Sequence, residues 1–364
     1  MRRPENSAPW IDAVSRWSPH TNNPSPSAWR RRGELGGASE GWPWAMRSTR
    51  SVVSISAAVA IGRRHSPNPL ARDVEKFFTN AGVTATSTGT TTFTGAVGGT
   101  TPLTSLTTDA GGTVSLGSVT TTGVQSYGEN ATLNGTYTTT NSAFSVGGTT
   151  TLGGATTVST GTGNVTFTGA VDGNQALVVN STGATLFSAA VGGSKTLGDV
   201  TINSAQNVQA SAGFAAKSLT QSAGTGTTTF NGIDTSGLSA VAGGAVNLKS
   251  AGAIDVSGGT IVTSGGTATG AGLDAGAVTL NSTGSTVTLG ALTATGSAAA
   301  TSSAAAGGAG GVVTVSSGGG STTLSGATIN TTGGAGDGAG AQGAGGNVSF
   351  TNAVVLAGAA LSAL

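Results

Sequence analysis

Between Gly243 and Phe350 one short phrase is written four times: Ala245-Val-Asn-Leu248, Ala277-Val-Thr-Leu280, Val312-Val-Thr-Val315 and Asn347-Val-Ser-Phe350. Its second residue falls at Val246, Val278, Val313 and Val348, giving successive spacings of 32, 35 and 35. A fixed period in that range marks a repeat architecture, in which each unit buries its apolar side only by stacking on its neighbours. The chain therefore reads as a long thin object, grown by length and not by core volume.

Within each unit the apolar residues alternate. The first unit gives Val246-Asn-Leu248, Ile254-Asp-Val256 and Ile261-Val-Thr263; the second gives Val278-Thr-Leu280, Val287-Thr-Leu289 and Leu292-Thr-Ala294. The third continues with Val313-Thr-Val315, Thr323-Leu324 and Ile329-Asn-Thr331. Period two over such short runs predicts short strands, apolar inward and Thr, Asn or Ser outward. Gly252, Gly258-Gly259, Gly284 and Gly290 punctuate the gaps, where a corner often needs a positive φ. Three such strands in about 20 residues make one coil of a parallel β-helix. The remaining Gly/Ala/Ser runs, such as Gly296 to Gly310 and Gly333 to Gly346, read as excursions from one corner.

Upstream, residues 81–242 keep the vocabulary with a looser period. Phe93-Thr-Gly-Ala-Val97 is echoed at Phe167-Thr-Gly-Ala-Val171 and Phe187-Ser-Ala-Ala-Val191. Leu116-Gly-Ser-Val119 is echoed at Leu152-Gly-Gly-Ala155, Leu197-Gly-Asp-Val200 and Leu289-Gly-Ala-Leu292. Val, Leu and Ile alternate there with almost no charge, unlike a disordered tract, which pairs low hydrophobicity with many charges. So few large side chains predict reliance on backbone ladders more than on a thick core.

Everything before Ala81 differs in kind. All five Trp, both His, all eleven Arg and eight of the nine Pro lie there. Residues 1–80 carry a formal +6 and residues 81–364 a formal −5, so the overall +1 says nothing about a partner. Residues 1–45, with neither strand nor helix period, are expected to be disordered or a non-native extension. Residues 46–80 form a leader-like and cap region: Met46 to Arg50 resembles a positive n-region, Ser51 to Val59 a short apolar run, and Ala58-Val-Ala60 a small-residue cleavage pattern. The competing reading is an apolar strand capping the first coil. The segment is too short to span a membrane as a helix. The division is thus 1–45, 46–80, 81–242 for irregular coils and 243–364 for regular coils of period 32–35.

Chemistry is sparse. Cys is absent, and no His follows His65, so a Ser-His-Asp or Cys-His arrangement in residues 81–364 is excluded. The eight carboxylates there are Asp109, Glu129, Asp172, Asp199, Asp234, Asp255, Asp274 and Asp337. Within the regular coils of 243–364 none recurs at the 32–35 period, and they read as corner residues rather than a facing glycosidase pair. Gly338-Ala-Gly340-Ala-Gln-Gly343 matches a dinucleotide fingerprint without the following helix or acid. Gly192-Gly-Ser-Lys195-Thr196 lacks the glycine a phosphate loop needs. Gly333-Gly-Ala-Gly-Asp337-Gly approaches a calcium nonapeptide, but once only. No catalytic, cofactor-binding or metal residue is assigned, and no cofactor is expected.

Gly-Gly-x-Val-x-Leu-x-Ser, then Gly-x-Ile-x-Val, then Ile-x-Thr-Ser-Gly-Gly, as written over 243–266, resembles the passenger repeats of bacterial filamentous-haemagglutinin-type and autotransporter adhesins. The likeness extends over most of 81–350. It implies an all-β, right-handed parallel β-helix, export to the cell surface or outside the cell, and adhesion or biofilm roles without a catalytic motif. Pro67-Asn68-Pro69-Leu70 is a scrambled version of the two-partner secretion motif. With the pattern stopping midway at Leu364, the chain is expected to be a fragment of a longer passenger, or an orphan copy of one, without a translocator barrel. The expected partners are surface glycans or matrix, with lateral self-association, and neither nucleic acid nor membrane insertion. Two further classes stay open: an ice-binding solenoid, for which Thr92-Phe-Thr94, Thr166-Phe-Thr168, Thr286-Val-Thr288 and Thr293-Ala-Thr295 speak, and a carbohydrate-active β-helix enzyme.

Overall fold

The structure, a computed structural model, describes residues 46–49, 54–57, 81–326 and 328–358, with side chains from residue 81 onward. The expectation of disorder for residues 1–45 lies outside them.

The chain winds as a parallel β-helix with three faces. Face one runs through Val246–Ser250, Val278–Ser282, Val313–Ser317 and Val348–Phe350. Face two runs through Ile254–Val256, Val287–Leu289, Thr322–Ser325 and Val354–Ala357, and face three through Ile261–Val262, Leu292–Thr293 and Ile329–Asn330. Face two is a 13-stranded sheet. Faces one and three fuse into an 18-stranded sheet, because upstream strands such as Thr150–Gly161 and Leu197–Ser204 run round the corner between them.

The four repeat valines stack as their spacing predicts: Val246 pairs in register with Val278, Val278 with Val313, and Val313 with Val348. The first three are buried, whereas Val348 is 41% exposed, because it lies on the last described rung of face one. Every pairing is parallel except the first on each sheet. Met46–Thr49 lies antiparallel to Thr90–Phe93, and Ser54–Ala57 antiparallel to Gly82–Thr86. These two short strands thus pair along the first strand of each sheet, and a paired edge is one way a sheet edge is blunted.

Successive rungs of face two are Leu106, Gln125, Phe144, Val165, Thr185, Val208 and Thr228. The upstream coil takes 19 residues from Leu106 to Gln125 and again from Gln125 to Phe144, and 23 from Thr185 to Val208. From Ile254 to Val287 the interval is 33 residues, and from Val287 to Thr322 it is 35. The coil itself does not grow. The added residues leave between faces three and one, at the single corner expected.

The quoted echoes are corner phrases: an apolar residue, two or three small ones, then the next apolar residue. They do not mark a particular corner. Phe167 and Val171 turn from face two to face three, but Phe93 and Val97 turn from face three to face one. The corner glycines differ from expectation as well. None of Gly252, Gly258, Gly259, Gly284 and Gly290 has a positive φ. Most are required by close approach: a Cβ on Gly252 would sit 2.1 Å from Gly226 O.

The core is thicker than composition suggests. Seven of the nine Phe and Tyr beyond Ala81 form one stack, Tyr127, Tyr137, Phe144, Phe167, Phe187, Phe214 and Phe230, with consecutive centroids 5.3 to 6.5 Å apart. Edge-on and offset contacts at these separations add about 0.5–1.5 kcal/mol each beyond burial. Buried amides are satisfied: Gln125 Nε2 donates to Thr138 O at 2.9 Å, and its Oε1 accepts from the Tyr127 hydroxyl at 3.1 Å.

The excursions are ordered, with a periodicity different from that of a strand. Gly272, Ala275 and Val278 donate to Ala306, Ala309 and Val312, one coil on. Gly307, Gly310 and Val313 donate to Ala341, Ala344 and Asn347. Gly308 and Gly311 turn instead to their own outgoing limb, at Ser297 and Ala294, while Gly296 and Ala299 reach Thr332 and Ala335. Every series steps by three along the chain, and a limb bonds neighbours in several directions. That is the symmetry of a polyproline-II helix, threefold about its axis, and not of a pleated strand with its twofold alternation. Glycine recurs where limbs touch. A Cβ at Gly340, Gly343 or Gly346 would meet Ala305 O, Gly308 O or Gly311 O at 1.9, 1.9 and 2.0 Å.

Candidate binding faces

The outward side chains follow from the same register. On face one, Thr157, Val178, Thr201, Thr220, Asn247, Thr279 and Thr314 lie in one column. Rungs in such a column are about 4.8 Å apart. Beside it Asn203 Nδ2 donates to Asn180 Oδ1 at 2.6 Å, and Asn180 Nδ2 to Ser159 Oγ at 3.1 Å. Asn203, Asn180 and Ser159 thus hold one another in place, a short ladder of amide and hydroxyl groups beside the column.

Face two carries a second column: Thr107, Ser126, Ser145 and Thr166, then Leu186 and Gln209, then Thr229, Asp255, Thr288 and Thr323. Of the Thr pairs weighed for ice binding, Thr166 and Thr288 stand on face two, Thr92 and Thr293 on face three. The quoted pairs form no single array. The face-one column carries Thr or Asn on five successive rungs, Thr201, Thr220, Asn247, Thr279 and Thr314.

Six of the eight carboxylates accept backbone N–H groups, as corner residues do. Asp172 Oδ1 takes the amides of Ser194 and Lys195 at 2.9 and 3.2 Å, which is the role of the broken phosphate-loop sequence. Asp274 Oδ1 takes the Ala309 amide at 2.7 Å, and Asp337 Oδ2 the Ala304 amide at 3.0 Å, so the calcium-like sequence is an excursion clasp. Asp234 and Asp255 close local turns onto Ser236 and Ser257, and Asp109 Oδ1 takes the Ser87 amide at 3.1 Å. Asp199 differs, with the Ser218 hydroxyl at 2.7 Å and Lys217 Nζ at 3.2 Å. The Ser218 hydrogen bond, aided by Lys217 against some burial, holds its carboxyl below the usual range.

Glu129 is the exception. It is 2% exposed, and neither carboxylate oxygen has a hydrogen-bond partner. Burial pushes its carboxyl up, and the Asp109 charge adds to that; Thr108 and the Gly112 amide oppose it from close by, but neither meets it in hydrogen-bonding geometry. The acids do not meet at the 32–35 period. Asp109 and Glu129 come together through the shorter upstream coil instead.

No group of three or more His, Cys, Asp or Glu gathers among the described residues. A shallow groove of about 260 Å³ crosses face three, lined mainly by Val191, Phe214, Ala215, Ile233 and Val262 with Asp234 at its edge. It falls below the usual size of a small-molecule site and brings no nucleophile beside a base. Among the described residues no helix is long and apolar enough to cross a membrane. Compared with protein-family models and with curated proteins, the chain finds no match.

Proposed function

We propose that this chain is a non-enzymatic surface adhesin or structural scaffold, exported to the cell surface or beyond the cell, that binds glycans or matrix through its long polar faces. The observation that carries the reading is the face-one column of Thr and Asn, repeated rung after rung at nearly constant spacing. Each hydroxyl or amide gives one weak hydrogen bond. A ligand that is itself repetitive engages many at once, so useful strength comes from multivalency more than from a pocket. The resemblance of residues 243–266 to adhesin passenger repeats supports the same reading.

The test is adhesion of beads displaying the full chain to glycan and matrix surfaces. The comparison proteins carry Thr201→Val, Thr220→Val and Thr279→Val on face one, or Thr166→Val, Thr229→Val and Thr288→Val on face two. Loss confined to the face-one variant supports the proposal. Equal binding by a scrambled-repeat control removes it, and polysaccharide cleavage abolished by changing one Asp replaces it.

The alignment of Thr on face one also favours a second reading, an ice-binding surface. Thermal hysteresis of the wild type, lost in the face-one variant, would select it over adhesion.

A further inference from the structure

The corner between faces two and three is formed in successive coils by Ser87 to Gly89, Asp109 to Gly112, and Gly128-Glu129. Glu129 is the only buried carboxylate among the described residues, and its two oxygens are unpartnered. Beneath it lies Gly111-Gly112. A side-chain atom placed on Gly112 would lie 2.1 Å from Gly89 O, 2.7 Å from Ser87 O and 2.9 Å from Glu129 Oε2. One placed on Gly111 would lie 3.3 Å from Asp109 Oδ2 and 3.5 Å from Ser87 O. Oxygens from three successive coils therefore converge on a step that has no side chain of its own.

Some of these oxygens are already engaged. Gly89 O accepts the Thr113 amide at 3.0 Å, and Asp109 Oδ1 accepts the Ser87 amide. Among the described residues, no hydrogen bond ends on Ser87 O or on the Glu129 carboxylate. The Thr108 hydroxyl, adjacent to Glu129, is also buried without a partner. The lysines of residues 81–364 begin at Lys195, three rungs beyond the Glu129 coil, so none can neutralise this corner.

We propose that this corner is a binding site for a hard divalent cation of calcium size, held by the Glu129 carboxylate, the Ser87 carbonyl oxygen and the Asp109 carboxylate. The donor set is all oxygen, mixing carboxylate and backbone carbonyl, as calcium prefers, and Thr108 Oγ1 stands ready as a further donor. Nitrogen and sulfur, which select zinc or copper, are absent from it. A proton on Glu129 would neutralise one acid only. A cation also meets the second acid and the bare carbonyl, and it ties three coils together next to the two antiparallel strands.

The experiment uses the full chain at neutral pH, stripped with chelator and titrated with calcium chloride alone. Thermal unfolding is read together with amide exchange over residues 87–133. Calcium is expected to raise the melting temperature and slow exchange at this corner, with a midpoint of about 0.1–1 mM, the range of extracellular calcium modules. Glu129→Gln keeps the shape and removes the charge. It should fold, exceed the wild type in melting temperature under chelator, and show no response to calcium. Asp109→Asn should respond with a midpoint at least several-fold higher. A wild type indifferent to calcium overturns the proposal, and so does a Glu129→Gln protein that responds with the wild-type midpoint.

Discussion

Replacing Gly308 by Ala tests whether the excursions are packed with threefold periodicity. A Cβ there would sit 2.1 Å from Leu273 O, 2.3 Å from Leu273 C and 2.7 Å from Leu273 N, all backbone atoms that cannot rotate away. Ordinary contact requires the two limbs to separate by about 1.5 Å. Three bonds cross this junction: Gly308 N to Ser297 O at 2.9 Å, Ser297 N to Leu273 O at 2.9 Å, and Gly334 N to Gly308 O at 2.8 Å. Such a retreat breaks at least two of them, at ~1 kcal/mol each, and adds an overpacking cost of ~1–3 kcal/mol. The expected loss is therefore about 3–5 kcal/mol, concentrated in residues 263–347. Gly270→Ala is the control, since nothing lies within 4 Å of its would-be Cβ and its φ is ordinary. That change should be neutral, or stabilising by about 0.4–1 kcal/mol through the unfolded chain. Urea unfolding with site-resolved amide exchange measures both. If the two variants lose equal stability, or neither changes exchange in the excursions, the threefold packing is wrong.

Val278→Asp, which puts an unpaired carboxylate between Val246 and Val313, should cost about 3–5 kcal/mol and open the neighbouring coils first, visible as early amide exchange there. Tyr127 and Tyr137, the only tyrosines, are raised above the ordinary phenol range, chiefly by burial. A raised folded-state value means their contribution is complete below the ordinary value of 10.0 and is lost as pH climbs above it. Tyrosinate absorbance should thus appear only together with unfolding, and a smooth titration of the folded protein would contradict their burial. Lys217→Ala should change stability by less than about 0.5 kcal/mol, because its pair with Asp199 is largely exposed; a larger shift in the urea midpoint would show the pair to be more than a surface contact.

Three kinds of feature differ in how far the sequence disclosed them. The downstream column Val246, Val278, Val313 was readable because one apolar phrase recurs at one spacing, and nothing but stacking explains that. The upstream stack from Tyr127 to Phe230 was not. Its coils vary in length, the turn from Thr185 to Val208 being longer than that from Gln125 to Phe144. Its rings also come from all three faces in no fixed order: Tyr137 from face one, Phe144, Phe167 and Phe187 from face two, and Phe214 from face three. The excursions hid for another reason. Gly340, Gly343 and Gly346 do spell glycine at every third place, but in a Gly/Ala run that spacing is drowned by other glycines with different duties. The candidate cation corner needed both a short period and knowledge of which oxygens lacked partners. Only the first is written in the sequence.

The excursions also change the mechanics of the stack. A β-helix of plain coils is a rod whose bending is resisted mainly by its own narrow cross-section. From Thr235 onward a second, parallel array of hydrogen bonds runs along one corner, outside that cross-section, through Gly272, Gly307 and Gly310. Links placed away from the neutral axis resist bending more than the same links placed near it, as the flange of a beam does. The downstream half should therefore flex easily about one axis and stiffly about the other. Under shear it would turn its compliant direction to the flow while the polar faces keep a fixed spacing.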